Sequence, residues 1–232
     1  HYFPKYLILR SYHKNLFFIG LTFSFGFYLS GIFWIAYSLT FDESFRYLIP
    51  FTIILIPLFL SCFMGLTIVI IGQFLSFNLS SILLFSGSLA LSDYIRGKIL
   101  TGFPWNLWSY SWSWLTEILQ ILNLTGLFAF NLIVITIFTM PAVLFLKYST
   151  GKKILITTFT FLFIFSTYIY GTFAINKNKA LVNYLNKDKK IYTKVISPDF
   201  ELKYDLSINE VENKLKKLVK YSDPDPKKAT FF

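Results

Sequence analysis

Asp93 and Arg96 stand three residues apart at the end of an apolar run, so on a helix they share a face and can pair. An ionisable residue at that depth in a membrane segment points to function, and a planar guanidinium also suits a lipid phosphate. Thr101-Gly-Phe-Pro-Trp-Asn106 comes next, with Gly102 and Pro104 fixing the backbone on both sides of Phe103. Tyr110, Trp112 and Trp114 extend it into an aromatic, basic loop, and indole rings favour the headgroup layer. The bland reading is a salt bridge anchoring a helix end, followed by a turn pinned by aromatics. The functional reading is a rigid, lipid-facing platform made of Arg96, Phe103, Pro104, Trp105 and Asn106, with Asp93–Arg96 as its structural ion pair. Asn106 and Glu117 add polar groups near its surface.

The other chemistry-bearing residues assemble into nothing catalytic. There is no Ser/His/Asp arrangement, no Cys/His pair, and no phosphate-binding glycine loop. Cys62 is the one cysteine and lies inside an apolar run, where it reads as a small hydrophobe that can form no disulfide within the chain. His1 and His13 flank the first apolar run, and no cluster has metal-ligand spacing. The expectation is a chain holding no catalytic residue, metal or cofactor of its own.

The elements that must carry the loop belong to a membrane protein. Hydrophobic residues make up 55% of the 232 positions and charged residues 15%, well below the roughly one quarter of a soluble domain. The charge is also segregated: residues 1–175 hold nine Lys/Arg and four Asp/Glu, while residues 176–232 hold thirteen and eight. The net charge of +10 flanks apolar runs or sits in a tail of mixed sign, so no nucleic-acid partner is expected.

Five segments have the roughly 17–25 apolar residues that a membrane crossing takes: Leu16–Leu39, Leu48–Ile71, Leu79–Ile95, Gly126–Leu146 and Ile154–Ile175. Continuous runs point to helices rather than a β-barrel. Gly20, Gly26, Ser30 and Gly31 offer small surfaces for helix packing, and Pro50, Pro57 and Pro141 are expected at or near helix ends or kinks. Lys5, Arg10, Lys14, Lys147, Lys152 and Lys153 fall on one side, Arg46, Arg96 and Lys98 on the other. That asymmetry puts the first group in the cytoplasm and the 96–117 loop and the tail on the far side.

The tail reads as strand, helix, strand. Ile191–Ser197 alternates and Pro198 ends it, Ser207-Ile-Asn-Glu210 is a capping box ahead of Val211, Leu215 and Leu218, and a second strand begins near Ala229. The expected domains are therefore a transmembrane part, 1–175, a Lys/Asn linker, 176–190, and the first piece of an α/β domain, 191–232. With a His at its start and an unfinished strand at its end, the chain reads as an internal fragment of a longer protein.

Leu91-Ser-Asp-Tyr-Ile-Arg-Gly97, with Thr101-Gly-Phe-Pro-Trp105 and Tyr110-Ser111, resembles the apolipoprotein N-acyltransferase family of the bacterial inner membrane. Gly31-Ile-Phe-Trp34 with Ser38, and Val195-Ile-Ser-Pro-Asp199 with Lys203-Tyr204, resemble two further family segments in the right order. Departures are Ser197 and Asp199 in place of Gln and Asn, Tyr204 in place of Trp, and Ser109 where a glycine usually precedes the tyrosine.

The resemblance implies an α-helical polytopic membrane protein followed by a truncated, periplasmic, nitrilase-like α/β domain. It implies acyl transfer from a phospholipid, through a Cys thioester, to the α-amino group of a diacylglyceryl apolipoprotein. The catalytic Glu, Lys and Cys would lie beyond Phe232, and the protein is expected to be a monomer. The competing readings are a transporter or channel subunit, which would need polar residues such as Ser30, Thr67, Asn131 and Thr136 along a path, and a non-catalytic scaffold with a partner-binding tail.

Overall fold

The apolar runs are helices, because a backbone in hydrocarbon has only itself to bond to. The structure, a computed structural model, describes residues 5–99, 102, 104–185, 195–200 and 206–223. Helix α1 (Lys5–Ile32) tightens into a 3-10 stretch, Phe33–Thr40. A 3-10 turn, Glu43–Leu48, capped by the Asp42 side chain, leads into α2 (Ile49–Gly72), with Pro50 in its first turn and Pro57 inside it.

Helix α3 (Leu79–Arg96) starts at Asn78, whose side chain accepts the Ser81 N–H at 2.9 Å. A 3-10 turn (Trp108–Trp112) and the short α4 (Thr116–Leu119) precede α5 (Leu122–Thr139), which runs on as a 3-10 stretch, Met140–Phe145, with Pro141 at its start. Gly126 interrupts α5 at φ 74°, a conformation that only glycine adopts without strain. Helix α6 (Thr150–Leu185) and the tail helix α7 (Ile208–Ser222) complete the described chain.

Small residues bring α1 and α2 together. A Cβ on Gly20 would lie 3.0 Å from the Gly65 Cα, and the Ser24 hydroxyl donates to the Gly20 carbonyl at 2.7 Å and reaches the Ser61 carbonyl at 3.3 Å. Of the other small residues on this helix, Gly31 meets the Asn106 side chain, whereas Gly26 and Ser30 face open space.

Helix α3 packs between α2 and α5. Leu89 and Ala90 join Met64 and Ile135 in one cluster, Ile82 meets Val143 and Leu146 near its start, and Ser86 and Thr139 share a 2.8 Å hydroxyl contact. The outer surface is apolar: Phe159 and Phe161 on α6 are about two-thirds exposed, as are many of its other large side chains. A surface of that kind is stable only against lipid.

Two expectations need correction. Among the described residues, four helical segments, not five, are long and apolar enough to cross a membrane: Ser11–Thr40, Glu43–Gly72, Leu122–Phe145 and Thr150–Leu185. The Leu79–Ile95 run forms α3, which has the length of a crossing but is less apolar than these four, because it carries five serines with Asp93 and Arg96. Ser81, Ser86, Asp93 and Arg96 are buried against neighbouring helices, so their polarity is kept from lipid.

The second correction concerns the tail. No strand is present among the described residues, and Val195–Ser197, the described part of the expected first strand, lies in no ladder. A strand needs a partner edge to bond to. Ile191 and the start of the second strand near Ala229 lie outside the described residues. The capping box is present: the Ser207 hydroxyl accepts the Glu210 N–H, and the Glu210 carboxylate accepts the Ser207 N–H at 2.9 Å. Helix α6 also continues to Leu185, through much of the segment read as a linker.

The segment Trp108–Leu119 is held onto the bundle where α6 passes α4. Any Cβ on Gly171 would collide with the Glu117 carbonyl, which is backbone and cannot swing aside. Gly171→Leu is therefore expected to push α6 off α4 and to destabilise the protein by at least the ~1–3 kcal/mol typical of overpacking. The check is the midpoint of thermal unfolding in detergent, against Gly26→Leu, which has open space and should leave it nearly unchanged.

Candidate functional site

An ion pair is tolerated inside a helical bundle only if most of its hydrogen-bonding capacity is used. At the end of α3 residues from four elements supply partners to such a pair. Arg96, only 2% exposed, donates from Nη2 to Asp93 Oδ1 at 3.0 Å and from Nη1 to the Trp105 carbonyl at 2.9 Å. Its guanidinium carbon lies 5.3 Å from the centre of the Tyr28 ring on α1, within cation–π range. The second Asp93 oxygen accepts from Asn131 Nδ2 on α5 at 2.9 Å. Asn131, fully buried, turns its carbonyl oxygen to the Ser109 N–H at 3.0 Å.

The consequence is a loop fastened at two points from beneath. Trp105 gives its carbonyl to Arg96 while its ring is 50% exposed and sits 5.2 Å from the Trp34 ring. Asn106 adopts φ 56° and donates from Nδ2 to the Phe27 carbonyl at 3.3 Å. The same amide occupies the space above Gly31, so a side chain at 31 would displace it. Tyr110 donates its hydroxyl to the Pro104 carbonyl at 3.1 Å.

Gly102, at φ 79°, bonds back to the Ile99 carbonyl at 2.9 Å, and a Cβ there would lie 2.7 Å from the Gly97 oxygen. Trp108 anchors the far side, stacked on Phe27 at 4.4 Å and 10°. Trp114, 74% exposed, and Tyr110 complete an aromatic rim facing outward.

The sequence-predicted residues are thus largely brought together, with one difference in direction. Asp93 and Arg96 pair as their spacing implied, and Pro104, Trp105 and Asn106 form one ordered surface; Phe103 lies outside the described residues. Arg96, however, is buried and turned inward onto the Trp105 carbonyl rather than outward. Asn131 was read as one of several scattered polar residues and is instead the bridge between α3, α5 and the loop. An amide inside an apolar run requires partners, which was the available signal.

The other scattered residues donate to their own helices: Ser30 to Phe27, Thr67 to Phe63 and Thr136 to Leu132, at 3.0, 2.8 and 2.8 Å. They line no polar path. The Cys62 Sγ is likewise 3.4 Å from the Leu58 carbonyl of its own helix, α2. Among the described residues no three His, Cys, Asp or Glu side chains form a group able to hold a metal ion.

Fold and site together define a multi-pass helical membrane protein that carries an aromatic loop, braced by a buried polar network, at one end of its bundle. The comparisons with known proteins agree. Residues 2–140 match the model of the apolipoprotein N-acyltransferase N-terminal domain, and the chain belongs to that family. It is 33% identical over 160 residues to an apolipoprotein N-acyltransferase of Rickettsia prowazekii, covering 68% of this chain and 32% of the relative. A relative of the same name from Rhodopseudomonas palustris is 32% identical over 126 residues, 54% of this chain and 24% of the relative. A third, from Rhizobium etli, is 25% identical over 185 residues, 79% and 34%. The chain thus spans about a quarter to a third of the length of these curated relatives. No solved structure matches it.

Removing one partner from the network leaves the other buried and unpaired. Asp93→Ala is expected to destabilise the protein by about 3–5 kcal/mol, whereas the double change Asp93→Leu with Arg96→Met should recover most of that loss. Denaturant unfolding of the three proteins in one detergent measures this; equal losses in the single and double variants would contradict it.

Proposed function

We propose that the chain is the membrane part of a phospholipid:apolipoprotein N-acyltransferase, and that the Pro104–Trp105–Asn106 loop is the floor on which its lipid substrates are presented. The observation that carries the reading is the exposed Trp105 ring on a backbone held from below by Arg96 and Asn106. A platform of that kind keeps a lipid headgroup at a fixed height above the bundle, which is what positioning a reacting carbonyl requires. The tilted Trp34–Trp105 pair and the exposed Tyr37 beside it lie where an acyl chain would enter laterally from the bilayer.

The donor is a membrane phospholipid, and the acceptor is the α-amino group of a lipoprotein's diacylglyceryl cysteine. The loop faces the periplasm of a bacterial inner membrane, on the side away from Lys147, Lys152 and Lys153. The acyl group passes to a cysteine that is not Cys62, forming a thioester as the phospholipid ester breaks and a lysophospholipid leaves. The amine then forms the amide and frees the thiol, with a Glu as base and a Lys steadying the oxyanion. Those groups belong to a nitrilase-like domain of which the tail with α7 is the beginning. Arg96, Asp93 and Asn131 act on the reaction only through the loop they hold.

The test is transfer of a labelled acyl chain from phosphatidylethanolamine to a diacylglyceryl peptide by the intact gene product. Transfer is expected, and Trp105→Ala should lower kcat/KM at least ~10-fold, about 1.4 kcal/mol of barrier. The 232-residue chain alone should transfer nothing. An intact protein that folds in the membrane but never acylates the peptide would leave a non-catalytic scaffold as the better account.

A further inference from the structure

A second feature lies at the other end of α3, which at 18 residues places its two ends about 25 Å apart. There α3, the 73–78 connection and the end of α5 enclose a groove of about 470 Å³, within the ~300–1,000 Å³ range of ligand sites. Its walls are apolar, formed by Ile82, Phe85, Phe138, Ala142 and Phe145, and Phe145 is 79% exposed at the outer lip. Its rim is polar: the Ser76 N–H donates to the Ser81 hydroxyl at 2.8 Å, beside Asn78.

Next to this rim the charge is of one sign. Tyr148 accepts the Leu79 N–H at 2.9 Å, and Lys152 Nζ sits 3.9 Å from the centre of the Tyr148 ring. Lys147, exposed, follows Leu146 of the groove wall. No Asp or Glu occurs between residues 44 and 92 or between 118 and 187, so nothing acidic on these connections offsets the lysines. An apolar slot between membrane helices with a basic, hydroxyl-lined mouth fits an acyl chain joined to an anionic headgroup.

We propose that this groove seats one acyl chain of an anionic phospholipid from the leaflet on the Lys147–Lys152 side, with the headgroup phosphate held by Lys147 and Lys152. The site is separate from the loop platform and from the proposed transfer reaction. It depends only on the chain being membrane-embedded.

Native mass spectrometry of the intact protein, with phosphatidylglycerol or phosphatidylethanolamine of identical acyl chains added, tests it. Phosphatidylglycerol adducts should be favoured about fivefold or more, and Lys147→Gln with Lys152→Gln should remove that preference, at about fivefold for each lysine. Ala142→Trp fills the slot and should abolish adducts of both lipids; the smaller Ala142→Leu serves if the first fails to fold. A photoreactive benzoylphenylalanine at position 142 should capture phospholipid. Equal retention of the two lipids, undiminished adducts in the filled variants, or capture of another protein segment or a second copy at position 142 would each overturn the proposal.

Discussion

The loop at the end of α3 depends on placing one guanidinium where water does not reach. Moving an ion out of water carries a penalty of several kcal/mol, so Arg96 can be buried only if fixed groups replace its hydration. Asp93 supplies the opposite charge, the Trp105 carbonyl an acceptor, and the Tyr28 ring an electron-rich face. Asp93 carries the same demand one step further and is satisfied by Asn131. Each partner comes from a different element, so the penalty is offset only when α1, α3, α5 and the loop are assembled together. A polar network of this kind is unforgiving of partial assembly, and that is what gives it control over geometry.

The platform is the outward expression of that control. Because Arg96 and Asn131 bind backbone atoms of residues 105 and 109, they fix the path of the loop and leave the Trp105 and Tyr110 rings exposed. The glycines serve the same end. Gly31 leaves room for the Asn106 amide, and Gly102 turns the chain against the Gly97 carbonyl. The result is a loop with a fixed backbone and an exposed aromatic edge, Trp105 and Tyr110, at one end of the bundle.

Much of this was legible in the residues, for identifiable reasons. Asp93 and Arg96 were found because charge is rare in apolar runs and a spacing of three puts both on one helix face. The capping box at Ser207 was found because it is wholly local. What was not legible depended on contacts between elements. The direction of Arg96 was missed because a guanidinium that meets a carbonyl has no sequence signature distinct from one that meets a phosphate. Asn131 was missed because its partners, Asp93 and Ser109, are 38 and 22 residues away. The apolarity of α3 was overestimated by counting its length without weighing serines that turn inward, and Val195–Ser197 has the alternation of a strand but joins no ladder among the described residues.

The polar network, and not the aromatic contacts alone, holds the loop. Amide hydrogen exchange of the protein in lipid nanodiscs, with and without Asn131→Leu, tests it most directly. The account predicts that protection falls at Ser109 and its loop neighbours while the amides of α1 and α2 exchange as before. Unchanged protection at Ser109 would contradict it, because the loop would then be held by its aromatic packing. A uniform loss across all helices would contradict it too, since Asn131 would then serve the whole bundle and not the loop.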